Sequence, residues 1–249
     1  MKYFFNTGFR YVNWLSVIVA TLIFVISIVV NIFASDSDHS NIFLFLNGVS
    51  GVGVLSLTVI FVIMLPSSLS IYNDLKDNNI RNVLVRMNLK KYYFTKVLAV
   101  GLFTAIFFAL LLAVLLIIAL LYKDMPKNIP NNFVVGAFKS FYPQHKILYS
   151  ILFIMNGFVF SFVFSILGMV TTIFWQNKYS AALIGSLLYL FTEPIFGIFQ
   201  LERLGFSSLF EYQSNFLTNA HEMYIEFLLI LIVSISLGYI KLKKVVNND

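Results

Sequence analysis

The chain has 249 residues, of which 59% are apolar and 11% charged. A soluble chain carries roughly 25% charged residues, so this one has too little charge to cover a water-facing surface and must offer apolar side chains to lipid. The chain has no cysteine, which excludes disulfides, thiolate metal sites and cysteine nucleophiles, and its formal charge is +6. Basic charge in such a chain marks loops on the cytoplasmic side, not a nucleic-acid partner.

Met1–Trp14 holds six aromatics, Tyr3, Phe4, Phe5, Phe9, Tyr11 and Trp14, with Lys2, Asn6, Arg10 and Asn13 at near-helical spacing. This predicts a short helix lying in the headgroup region, or else a tip anchored by aromatics. Six apolar runs then follow, each near the ~20 residues that a span needs. They lie at Leu15–Ala34, Ile42–Leu65, Val97–Leu121, Ile147–Phe174, Tyr179–Phe199 and Tyr224–Ile240. The first is too long for a signal-peptide core and lacks a clean small-x-small site before Ala34, so it reads as a permanent helix. The expected fold class is an all-α polytopic membrane protein, a single transmembrane domain over 1–249.

An even number of spans puts both termini on one side. That side carries 12 Lys and Arg residues and the other 5. The positive-inside rule predicts a multi-pass protein of the cell membrane with both termini cytoplasmic.

The stretch Pro66–Lys96 is the longest segment predicted on the cytoplasmic side. Ile80, Val83, Leu84 and Met87 recur at i, i+3, i+4 and i+7, one apolar face of a helix. Leu69, Tyr72 and Leu75 sketch a shorter face before it, with a turn at Asn78-Asn79. Asp74, Asp77, Arg81 and Arg86 fall on the polar sides. Such a helix–turn–helix suits a docking surface for a soluble partner. Its basic charge equally suits anionic lipid.

Further along, Tyr122–Lys146 contains Pro126, Pro130 and Pro143 among apolar residues and predicts a small extracellular cap. In the fourth span Gly157, Ser161, Ser165 and Gly168 form a small-residue stripe, for packing within the subunit or for a dimer seam. Asn47 and Asn156 are isolated polar residues at membrane depth. Glu193, in Thr192-Glu193-Pro194, is the clear ionisable group there and by default a functional candidate. Pro194 predicts that span five ends near Glu193. The segment 194–222 then either dips back into the membrane or forms an ordinary outer loop. Re-entry requires its backbone to be buried in protein.

The run from Asp77 to Arg86, continued by Lys90-Lys91-Tyr92-Tyr93-Phe94-Thr95-Lys96, resembles the cytoplasmic segment of ABC-2-type permeases. That pattern has an acidic residue, a turn, an apolar helix, a basic residue, an aromatic and a closing Lys that opens the third span. Asn79 stands where Gly is common, and the Pro that often follows the apolar helix is missing. The resemblance implies the membrane subunit of an ATP-driven exporter, similar to small peptide exporters such as phenol-soluble modulin exporters and lantibiotic-immunity permeases. It implies a coupling helix that rests on the ATPase, carried here by Asp74, Asp77, Asn79, Ile80, Arg81, Val83, Leu84, Arg86 and Met87. It also implies Lys96 as an interfacial anchor, and a dimer of this chain or a heterodimer with a second permease.

No G-x-x-x-x-G-K-[ST] occurs, so ATP and Mg²⁺ belong on a separate chain. No cofactor is expected on this one. Two other classes fit less well. A proton-coupled secondary transporter would show repeats around a midplane ion site, and Glu193 alone is suited to carry a proton. A membrane enzyme would need converging His, Asp or Glu, whereas His39, His145 and His221 fall far apart in sequence. The Phe- and Leu-rich walls suit amphipathic or hydrophobic peptides as cargo.

Overall fold

The computed structural model describes residues 14–34, 45–46, 49, 54–76, 79–85, 87–122, 138–177, 179–201, 204–210 and 219–248. Eight α-helices follow in order among them: α1 Trp14–Ala34, α2 Val54–Lys76, α3 Asn79–Leu84, α4 Leu89–Tyr122, α5 Lys146–Trp175, α6 Ser180–Ile198, α7 Phe206–Phe210 and α8 Ala220–Asn248. A 3-10 turn at Lys139–Phe141 precedes α5, and no strand occurs among the described residues. Helices α1, α4, α5 and α8 are long and apolar enough to cross a membrane. Helix α2 makes a fifth candidate once its two bent halves are joined, and α6 is a shorter apolar helix. The described residues are therefore all-α, with several helices fit for a multi-pass membrane protein. The expected N-terminal helix over 1–13, residues 123–137 of the expected cap and residues 211–218 lie outside the described residues.

Helix α5 is the axis of the bundle and packs against α2, α4, α6, α7 and α8. At 30 residues it is about 45 Å long, more than a ~30 Å hydrocarbon core requires. It can sit at the centre because small residues let its neighbours approach. A side chain at Gly157 would meet Leu112 Cδ1 at 2.6 Å, and one at Gly168 would meet Met64 Cγ at 3.0 Å. Ser161 and Ser165, also buried, return their hydroxyls to the carbonyls of Phe158 and Phe162. The stripe thus lies against helices of its own chain. Helices α1 and α2 run antiparallel, joined by a Ser27–Thr58 hydroxyl contact of 2.8 Å and by Val54 N–H donating to Asn31 Oδ1 at 2.7 Å. Polar links of this kind hold helices together where lipid supplies no hydrophobic drive. Large apolar residues of α1, among them Leu15, Ile18, Leu22 and Phe33, face outward.

Two prolines lie inside helices, and one of them, Pro194, was expected to end its helix. Helix α2 continues past Leu65 through Pro66 to Lys76, bending by 41° between Ser67 and Ser70. Helix α6 continues past Glu193 through Pro194 to Ile198. An interior proline forfeits one backbone hydrogen bond and kinks the helix. Ending the helix in apolar surroundings would strand several backbone groups, a larger cost. Next to Pro66, Ser67 Oγ donates to the Met64 carbonyl at 2.8 Å.

Candidate functional site

The extension of α2 to Lys76 and the start of α4 at Leu89 shorten the connection between them to about three turns of chain, within which α3 folds back on both helices. Ile80 is buried, and Val83, Leu84 and Met87 are half-buried. They pack into an apolar cluster with Ile71, Tyr92, Val97, Met169 and Leu242. The apolar face read from the sequence is therefore spent on α2 and α4, within a cluster that residues of α5 and α8 complete. The outward side of this elbow carries Val85, which is 87% exposed, followed by Asn88, Lys90 and Lys91, also exposed.

Behind α3 lies a buried charge cluster. Tyr92 and Lys96 are one turn apart on α4 and point to the same face. Tyr92 Oη donates to Asp74 Oδ2 at 2.5 Å, and Lys96 Nζ pairs with the same oxygen at 2.9 Å. Asp74 is 3% exposed and Lys96 1%. A charge-assisted hydrogen bond and an ion pair on one carboxylate oxygen satisfy a group that burial alone would make very costly. Two sequence expectations change here. Asp74 is a clasp between α2 and α4 rather than a contact for a soluble partner, because its carboxylate is closed to solvent. Lys96 is no interfacial anchor, because its ammonium turns inward to Asp74 instead of reaching for headgroups. Spacing within α4 pairs Tyr92 with Lys96, but nothing in the sequence brings Asp74 opposite them until both helices are known to extend.

A second polar–aromatic site lies deeper. Helix α7 is stitched to α5 by Asn156 Nδ2, which donates to the Leu209 carbonyl at 3.1 Å. It is stitched to α6 by Phe206 N–H, which donates to Thr192 Oγ1 at 3.0 Å. Leu209 and Phe210 are buried. The Phe210 ring lies 5.2 Å from Phe160, 5.7 Å from Phe153 and 6.0 Å from Phe108. Phe206 meets Phe164 edge-on at 5.4 Å. Phe164 lies about 27 Å along α5 from Lys146, so α7 reaches well inside the bundle. Glu193 sits half-buried on α6 beside Thr192. The remaining elbow candidates Asp77 and Arg86, and Asn47, lie outside the described residues. Asn79 and Arg81 lie on α3, and their side chains lie outside the description too.

Among the described residues no group of three His, Asp or Glu could hold a metal ion. Protein-family models, curated proteins and solved structures give no match to this chain.

Proposed function

We propose that this chain is the membrane-spanning permease subunit of an ATP-driven exporter of the ABC-2 type, moving amphipathic or hydrophobic peptides outward. In this reading α1, α2, α4, α5, α6 and α8 are six crossings, α7 is a re-entrant helix, and the Lys96 end faces the cytoplasm. The subunit works as a dimer, with ATP and Mg²⁺ on a separate hydrolase. The observation that carries the reading is the elbow α2–α3–α4. A short helix clamped by its own apolar face to two long helices, and backed by the Asp74–Lys96 pair, is a stiff lever. Force applied to its outer side passes into both helices instead of being lost in a loose loop. Helix α7 supports the reading from the other end, since one of its carbonyls and one of its N–H groups bond to Asn156 and Thr192 inside the bundle, as re-entry requires of a backbone away from water.

Alternating access follows by physical argument. Closure of the hydrolase pair pushes the elbow, α2 and α4 rotate as one piece, and the aromatic packing around α7 reopens toward the outside. Asp77 and Arg81 are the proposed polar contacts to the hydrolase. Asp77→Arg places the wrong sign there, and we expect it to abolish peptide-stimulated ATP hydrolysis and export in the reconstituted complex. If hydrolysis and export both stay at the wild-type level, the coupling role is wrong.

A further inference from the structure

The Lys96 end of the bundle carries more cation than its own acids can answer. Lys90 and Lys91 on α4, and Lys243 and Lys244 on α8, are exposed, and Lys241 is half-buried. Asp74 is the acidic side chain among the described residues of this end, and Lys96 already pairs with it. These lysines also share one depth. Helices α4 and α8 are held level by Tyr93, whose Oη donates to the Ile235 carbonyl at 3.0 Å and whose ring lies 5.7 Å from Tyr239. Counted outward from that ring pair at about 1.5 Å per residue, Lys90 and Lys91 stand about 3–5 Å beyond it and Lys241 to Lys244 about 3–8 Å beyond it. The headgroup layer on one side of a bilayer is about 5–8 Å thick. Trp175, exposed at the end of α5, is a ring type that marks this boundary. Lys241 is held 5.6 Å from the centre of the Phe174 ring, which fixes one cation of the group in place.

We infer that Lys90, Lys91, Lys241, Lys243 and Lys244 form a binding surface for the phosphates of anionic phospholipids. A clustered polybasic surface at headgroup depth attracts such lipids, and the attraction is electrostatic and salt-sensitive. The inference does not depend on transport or on a hydrolase, and it assigns no catalytic part to any lysine.

The test uses the full chain in vesicles of equal parts phosphatidylglycerol and phosphatidylcholine. Spin-labelled versions of the two lipids report how much of each is held at the protein surface. Wild type should hold phosphatidylglycerol in preference to phosphatidylcholine, and about 1 M sodium chloride should remove that preference, since the screening length falls to about 3 Å. The combined K90Q, K91Q, K241Q, K243Q and K244Q variant should lose it at low salt. The K139Q and K146Q pair at the opposite end should keep it. A preference that survives in the five-lysine variant, resists salt in wild type, or disappears in the opposite-end variant overturns the inference. The salt measurement needs no variant, so a poorly folding mutant leaves the test standing.

Discussion

Replacing Lys96 by methionine should destabilise the bundle far more than replacing Asp74 and Lys96 together. At the 2.9 Å separation and an effective dielectric near 20, the gross attraction is about 6 kcal/mol. Removing one partner of a buried pair typically costs about 3–5 kcal/mol, because the other charge is left without an answer. In Lys96→Met the Asp74 carboxylate keeps only the Tyr92 hydroxyl, and the stem volume is preserved, so little of the loss comes from packing. The double variant Asp74→Leu with Lys96→Met removes both desolvated charges. It removes the bond from the Tyr92 hydroxyl to Asp74, at a cost of about 1–3 kcal/mol, against a gain that reaches about 1–4 kcal/mol when buried pairs become apolar. It should therefore fall between about 2 kcal/mol less and about 3 kcal/mol more stable than wild type. Equilibrium unfolding in mixed detergent micelles, followed by tryptophan fluorescence, measures both. A Lys96→Met cost under about 1 kcal/mol, or a double variant at least as unstable as the single one, refutes the clasp.

Other outcomes follow from contacts already described. Gly238→Ala should cost about 1–3 kcal/mol in the same assay, because its methyl group meets Val170 Cγ2 at 2.7 Å and crowds the Tyr93 hydroxyl. Gly185→Ala should cost less, since the crowding atoms are the flexible end of Met64, and the reverse order would contradict this packing. In the cysteine-free chain, Leu209→Cys should resist a water-soluble maleimide. Adding Asn156→Leu should speed its labelling by releasing the α7 carbonyl, and equal rates in the two backgrounds would show that this bond does not hold α7. Ile80→Asp should expose the elbow to limited proteolysis between α2 and α4, because a charge cannot stay in that apolar cluster unpaired. A cleavage rate equal to wild type would mean that α3 is not clamped.

Periodicity made the apolar face of α3 readable, because Ile80, Val83, Leu84 and Met87 have no other reason to recur at that spacing. Hydropathy marked long helices for the same reason that lipid selects them. The one helix end read from a proline, that of α6 near Glu193, was misjudged. Pro66 and Pro194 look like stops in a one-dimensional reading, yet each costs a single bond in surroundings where stopping costs more. Extending α2 is what carried Asp74 inward. Its place among polar neighbours suggested a surface residue, and the partner that buries it lies 22 positions away on another helix. Asn156 was visible as a lone polar residue. Its bond to the Leu209 carbonyl was not, since a backbone acceptor leaves no trace in sequence.

The proposed coupling requires the outer side of α3, around Val85, to meet a nucleotide hydrolase. A photo-crosslinking amino acid at Val85, which is 87% exposed on the elbow, tests it in native membranes. Coupling should yield a crosslinked protein that carries a G-x-x-x-x-G-K-[ST] phosphate loop, with a yield that changes when ATP is trapped. Adducts made only with phospholipid, or only with a second copy of this chain, would contradict it.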